Sequence, residues 1–207
     1  MSNVTKAILF FFFLVLVNTT GIWFEINKVH NPNLDLETYK EMSAGNYHVR
    51  AEQARESGSF VFHPEGEQKY EEQLTQQKVE EDLKNVISSL KSDHKLFIVS
   101  SGSEKIIGKY LREQNLFDDF TEVFGHEFHH SKEEKIKHIL KTHQIEPHLA
   151  VMITDTSGDI QEAKLAKVKS IGVLWGLHDN DMLALVQPDR IVTFPSELNQ
   201  AIQELLQ

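Results

Sequence analysis

The sequence predicts an α/β fold, a doubly wound parallel sheet with a small helical insertion. Three observations carry this. From residue 96 onward, short apolar runs alternate with helix-permissive stretches. Residues 7–17 form an unbroken apolar run, which is how a central strand buried on both faces reads. Between them, residues 20–88 are polar and helix-permissive without that alternation. Repeated strand–helix–strand order is the pattern of a parallel sheet covered on both sides.

The elements follow in chain order. Lys6 and the apolar run after it also have the shape of a secretory signal, although the run is too short to span a bilayer as a helix. The polar Asn18-Thr19-Thr20-Gly21 that follows makes a poor cleavage region. On these residues alone, strand and signal both stand. Residues 37–55 predict a helix interrupted near Gly45, and residues 58–64 a loop. Residues 65–92 predict one long charged helix, with Tyr70, Leu74, Leu83, Val86, Ile87 and Leu90 roughly on one face. Residues 96–99 predict a strand ending in Ser100-Ser101-Gly102, with a helix over 103–114 and a strand at 121–124. Ser131 and Glu134 have capping-box spacing and start a helix. Residues 149–153 predict a strand running into Thr154-Asp155-Thr156-Ser157-Gly158-Asp159, then a helix over 160–167. Strands at 170–173 and 191–193, Pro195 and a helix ending near Leu206 complete the chain.

The 207 residues suit one core domain with a small insertion, here 1–19 and 89–207 as core and 20–88 as insertion. A net charge of −10 argues against a nucleic-acid partner, which needs a basic face. With no cysteine, disulfides, thiolate catalysis and Cys-based zinc sites are excluded. That composition fits a cytosolic protein. Nothing in it sets the oligomeric state.

In parallel sheets ligands bind at the carboxyl ends of the strands. Asp155 and Asp159 stand at such an end, four residues apart across a strand-to-helix turn. Two carboxylates there can hold Mg²⁺, a hard cation that favours oxygen ligands and phosphate company. Ser100 and Ser101 end a neighbouring strand and offer hydroxyl and N–H groups to phosphate oxygens. Lys132, at a helix start, can neutralise phosphate charge, with Lys135 as the alternative. Singly, each reads more simply as a turn, cap or strand-end residue. Together and in this order they point to a phosphate site.

These residues resemble the haloacid dehalogenase (HAD) superfamily of phosphatases, with a Rossmannoid core, over nearly the whole chain. Phe97-Ile98-Val99-Ser100 resembles the family's second motif. Lys132 or Lys135 resembles the third. Met152-Ile153-Thr154-Asp155-Thr156-Ser157-Gly158-Asp159 resembles the fourth. Ile160-Gln161-Glu162-Ala163-Lys164-Leu165-Ala166, Ser170-Ile171-Gly172-Val173-Leu174-Trp175-Gly176 and Asp189-Arg190-Ile191-Val192 are similar to the phosphoglycolate-phosphatase-like branch. The resemblance implies a Mg²⁺-dependent phosphomonoesterase acting on a small phosphorylated molecule. It makes residues 20–88 a cap, Ser100, Ser101 and Lys132 phosphate ligands, and Asp155 and Asp159 metal ligands.

The resemblance fails at the first motif, where the family reads Asp-x-Asp-Gly-Thr-Leu. Ala7-Ile8-Leu9-Phe10 matches the strand before it and Leu16-Val17-Asn18-Thr19 the exit. Between them, Phe11 takes the nucleophile's place and Phe13 that of the acid/base, while Leu14 replaces the glycine and Val15 the threonine. Thr154 and Lys167 also stand at family glycines. A phenyl ring can neither attack phosphorus nor carry a proton. The expectation is a catalytically inactive relative that retains weak phosphate or Mg²⁺ binding. The alternatives are an active phosphomonoesterase, or a secreted or membrane-associated interaction protein using residues 7–17 as signal or anchor. The match on both sides of residues 11–15 favours the strand, hence a cytosolic protein and no membrane partner.

Two further patterns are weaker. His126-Glu127-Phe128-His129-His130 has the His-Glu-x-x-His spacing of zinc proteases, but that chemistry needs both histidines on one helix face, and here the motif precedes a helix start. Asp179-Asn180-Asp181 has Asp-x-Asp spacing but lies in a connection after a strand.

Overall fold

The computed structural model describes residues 5–12, 14–56 and 66–207. Phe13 lies outside them, so its expected acid/base place is not described. Six strands form one parallel sheet: β1 (Ala7–Phe10), β2 (Lys95–Val99), β3 (Glu122–Phe124), β4 (Ala150–Thr154), β5 (Lys169–Val173) and β6 (Arg190–Val192). Their order is β3-β2-β1-β4-β5-β6. β1 is central, with Phe10 in register with Ile98 of β2 and Ile153 of β4. All four of its residues are fully buried, which is why this stretch reads as a continuous apolar run. Among the described residues no helix is long and apolar enough to cross a membrane.

Ten α-helices occur among the described residues. Between β1 and β2 come α1 (Thr20–His30), α2 (Leu36–Met42), α3 (Tyr47–Glu56), α4 (Gly66–Leu74) and α5 (Glu81–Leu90). Then follow α6 (Glu104–Glu113), α7 (Lys132–His143), α8 (Ser157–Leu165), α9 (Asn180–Ala184) and α10 (Leu198–Leu205). The break between α2 and α3 falls at residues 43–46, around Gly45, as the sequence predicts.

The single long helix expected over 65–92 is instead two. Residues 75–80 leave the helix because α6 offers their side chains and backbone better partners. Val79 is buried and donates its N–H to Gln114 Oε1 at 3.3 Å, and the Tyr110 hydroxyl donates to the Gln77 carbonyl at 3.3 Å. The helix expected from residue 160 begins earlier, at Ser157, because Thr156 caps it by accepting from the Asp159 N–H at 3.3 Å. Asp159 therefore sits in the first helical turn, where the helix dipole favours a carboxylate. Residues 126–130 form turns before α7, so the two histidines of the zinc-like pattern do not share a helix face. Asp179 caps α9 by accepting from the Met182 N–H at 3.0 Å.

Helices α1–α3 close over the carboxyl edge of β1 and β4. Leu14 and Leu177 from that edge pack with Leu34, Tyr39 and Met42. Gly158 lets the α2–α3 connection rest on the first turn of α8, since a Cβ there would collide with the Gly45 carbonyl. The Gly158 N–H donates to the Ser43 carbonyl at 3.3 Å.

Leu14 and Lys167 have left-handed backbones, at φ 64° and φ 62°. This conformation costs a side-chain-bearing residue roughly 1–2 kcal/mol. Lys167 is exposed and follows the C-cap of α8, so Lys167→Gly is expected to raise stability by about 0.5–1 kcal/mol and Tm by roughly 1–4 °C. Leu14 is buried, and Leu14→Gly loses about 1.5–3 kcal/mol of apolar burial against the same relief, so its Tm should not rise. Calorimetric melts of both variants check the pair. A fall for Lys167→Gly would contradict the strain assigned to that position.

Candidate functional site

The strand order reverses between β1 and β4, so the crevice at their carboxyl ends is the topological switch point of the sheet. Phe11 is the first residue past β1, its N–H still donating to the Ile153 carbonyl at 2.9 Å. Neighbouring Phe10 and Phe12 turn into the core, edge-on to Phe120 and Tyr110. Phe11 faces a cavity of about 430 Å³ that Ser101, Lys132 and Asp159 also line. The cavity runs up to α3, with His48 of α3 beside His126 and His130 of the loop before α7.

Lys132 opens α7 and is almost completely buried. Its Nζ pairs with Asp159 Oδ1 at 2.7 Å, donates to Ser101 Oγ at 2.9 Å, and stands 4.8 Å over the centroid of the Phe11 ring. Asp159 spends its other oxygen accepting from the Thr154 hydroxyl at 2.8 Å. Thr154 thus supplies a hydroxyl that holds Asp159.

The predicted residues separate into two layers. Phe11, Ser101, Lys132 and Asp159 meet in the cavity. Ser100 and Asp155 are fully buried just beneath it. The Ser100 hydroxyl accepts from the Gly102 N–H at 3.1 Å, and its carbonyl accepts from Lys135 Nζ. Between the two candidate lysines, Lys132 reaches the cavity, while Lys135 is wholly buried. Burial and neighbouring Lys132 push the Lys135 ammonium down to about 7. Asp155 Oδ2 accepts from the Leu177 N–H at 2.9 Å, and Gly176 packs so tightly on Asp155 that any Cβ there would clash. Among the described residues Asp155 Oδ1 has no hydrogen-bond partner.

Sequence reasoning missed three features. Glu162, on the same face of α8 as Asp159, accepts at Oε1 from the Lys132 N–H (2.8 Å), the Ser131 hydroxyl (3.0 Å) and Asn46 Nδ2 (3.1 Å). It ties the start of α7 to the α2–α3 connection; its three-residue spacing from Asp159 on a helix was the available signal. His178 takes the Ser157 N–H at Nδ1 (3.0 Å), which leaves its proton on Nε2 to donate to the Lys40 carbonyl at 2.9 Å. Burial lowers its pKa accordingly. Burial, with His130 and Lys132 nearby, likewise holds the His48 imidazole near 3 and therefore neutral. Nothing in the residue order of these histidines marks them as neighbours.

The model of the haloacid dehalogenase-like hydrolase family matches residues 8–173. This chain belongs to the haloacid dehalogenase-like hydrolase family. The phosphoglycolate phosphatase of Synechococcus elongatus is 27% identical over 111 residues, covering 54% of this chain and 52% of that protein. That of Aquifex aeolicus is 31% identical over 122 residues, covering 56% and 55%. The chain thus spans about half the length of the curated relatives it matches. Among solved structures, a hydrolase from Pseudomonas syringae superposes with a TM-score of 0.81 at 17% identity, covering 98% of this chain and 100% of that one. A HAD-like family protein from Streptococcus pneumoniae gives 0.77 at 19%, with 98% and 100% coverage. At these identities the likeness is one of fold.

HAD phosphatases generally use Mg²⁺, which takes six oxygen ligands in near-octahedral geometry. The donors in this chain do not fit it. Asp155 offers one unpartnered oxygen, both Asp159 oxygens are engaged, and Phe11 presents a ring. Among the described residues no three His, Cys, Asp or Glu side chains are grouped to hold a metal.

Burial, with Asp159 adding a like charge, raises Asp155 from 3.8 to about 7. The native state therefore keeps a proton that the unfolded chain releases. The stability Asp155 contributes is full below about pH 4 and is lost as pH rises through about 7, a swing on the order of a few kcal/mol. Asn keeps a carbonyl oxygen for the Leu177 N–H. Asp155→Asn should therefore be the more stable protein in urea melts at about pH 8, with the gap closing toward about pH 4. A gap that does not change with pH would rule this out.

Proposed function

We propose that this chain is a HAD-fold protein that does not hydrolyse phosphate esters. The observation that carries the reading is the Phe11 ring on the cavity floor, at the strand end where the family carries its nucleophile. The family's reaction needs a carboxylate there to attack phosphorus and a second one to move the proton. A phenyl ring offers no lone pair for the first, and the sequence places Phe13 at the second. Loss of a covalent nucleophile alone removes several powers of ten in rate. The remaining polar residues support a binding role. Lys132 and Ser101 stay in the cavity, but Lys132 is held by Asp159 rather than open to a phosphate.

We read the protein as cytosolic and as acting on or binding small molecules. Residues 7–10 form the centre of the sheet, so a signal cleaved near residue 20 would take β1 with it. The competing reading, a Mg²⁺-dependent phosphomonoesterase, draws on the names of the relatives and on Lys132, Asp155 and Asp159 standing at family positions.

Assaying p-nitrophenyl phosphate hydrolysis with Mg²⁺ separates the two. The chain should show no turnover above buffer, while a version carrying Phe11→Asp, Phe13→Asp, Leu14→Gly and Val15→Thr should gain activity. Turnover by the unaltered chain that survives purification and is lost in Asp155→Ala would overturn the proposal.

A further inference from the structure

We infer that the cavity is a binding site for a small, uncharged, planar aromatic molecule carrying one hydroxyl group, and that it discriminates against phosphate. The inference rests on the non-hydrolytic reading above and names what such a site would hold.

The N–H groups at the starts of α7 and α8 are already used within the protein. At the start of α7, Glu162 takes the Lys132 N–H at 2.8 Å, and Ser131 Oγ takes the Glu134 N–H at 3.3 Å. At the start of α8, the Ser157, Gly158 and Asp159 N–H groups go to His178 Nδ1, the Ser43 carbonyl and Thr156 Oγ1. The Gly102 N–H goes to Ser100 Oγ. Helix N-termini hold phosphate through such N–H groups, and here they have other partners. Among the described residues, the Lys, Arg, Asp and Glu side chains lining the cavity form a buried pair, Lys132 with Asp159 at 2.7 Å, and a solvent-exposed pair at its mouth, Arg55 with Glu52 at 2.5 Å. A phosphate dianion seated beside Lys132 would have to break the buried pair or lie unpaired against the Phe11 ring, and an unpaired buried charge is costly.

What the walls do offer is aromatic. Trp23 and Tyr70 stack at 4.5 Å with 18° between their planes, and with Phe11 and Tyr39 they line the same space. Ring faces favour offset or edge-on aromatic partners. The volume of about 430 Å³ falls in the range that encloses small ligands. Ser101 supplies the polar end. Its oxygen accepts from Lys132, which leaves its own O–H to donate to a ligand hydroxyl oxygen.

The test is calorimetric titration of the full chain with 2-naphthol, 2-naphthyl phosphate and inorganic phosphate. The expected result is saturable 2-naphthol binding with Kd on the order of 10 μM, at least about tenfold tighter than 2-naphthyl phosphate. Ala51→Trp, which places an indole in the cavity wall, should weaken 2-naphthol by about tenfold or more with an unchanged circular dichroism spectrum. Should that variant lose its fold, the Trp175→Phe chain replaces it. There the remaining Trp23 fluorescence should be quenched by 2-naphthol with the calorimetric Kd. No 2-naphthol binding, tighter binding of the phosphate ester, or binding untouched by Ala51→Trp and without Trp23 quenching would each overturn the inference. Release of 2-naphthol from its phosphate ester would instead sink the non-hydrolytic reading, so the two failures are distinguishable.

Discussion

Lys132 and Asp159 meet at 2.7 Å with both side chains almost wholly out of water. Removing two charges from solvent costs several kcal/mol each, and their attraction offsets this only when the remaining hydrogen-bonding positions are filled. Here they are filled. Thr154 holds the second Asp159 oxygen, Ser101 takes a second Lys132 proton, and the Phe11 ring face lies under the ammonium. Losing either charged partner would leave an uncompensated buried charge, worth about 3–5 kcal/mol of destabilisation in comparable cases. The pair also fixes the starts of α7 and α8 against each other at the carboxyl edge of the sheet.

From that junction the other contacts of the site follow. Glu162 extends it to the α2–α3 connection through Asn46, and His178 joins the start of α8 to the end of α2 through the Lys40 carbonyl. Gly158 permits the two backbones to touch. The inserted helices thus rest directly on the residues that would meet a ligand. The N–H groups at the starts of α7 and α8 are turned inward, and the Phe11 ring lies against the cavity. Asp155 Oδ1 and Glu162 Oε2 are buried acceptors of the site that have no hydrogen-bond partner among the described residues.

Much of the fold could be read from the sequence, because buried parallel strands leave a direct trace. Ile8-Leu9-Phe10, Phe97-Ile98-Val99 and Val151-Met152-Ile153 are continuous apolar triplets because both of their faces are covered. The helix boundaries were less legible where tertiary contacts decide them. Nothing local tells Gln77 and Val79 to leave a helix; their partners Tyr110 and Gln114 are more than thirty residues away. The site was legible at the strand ends, where Ser101, Lys132 and Asp159 were picked out by position. It was not legible where a residue acts by filling another's valence. Glu162 and His178 are ordinary helix and loop residues until folding brings donors to them. The left-handed Leu14 and Lys167 lie between these cases, since each takes a backbone conformation that glycine would favour while carrying a side chain.

The account stands or falls on whether this edge of the sheet has lost its capacity for a divalent cation, and Mn²⁺ reports that directly through its paramagnetic resonance. Titrating the chain into dilute Mn²⁺ should leave the free-ion signal undiminished. The Phe11→Asp chain, with a second carboxylate beside Asp155, should diminish it. If the unaltered chain captures Mn²⁺ stoichiometrically and Asp155→Asn abolishes that capture, the site is not closed on itself and the central claim is wrong.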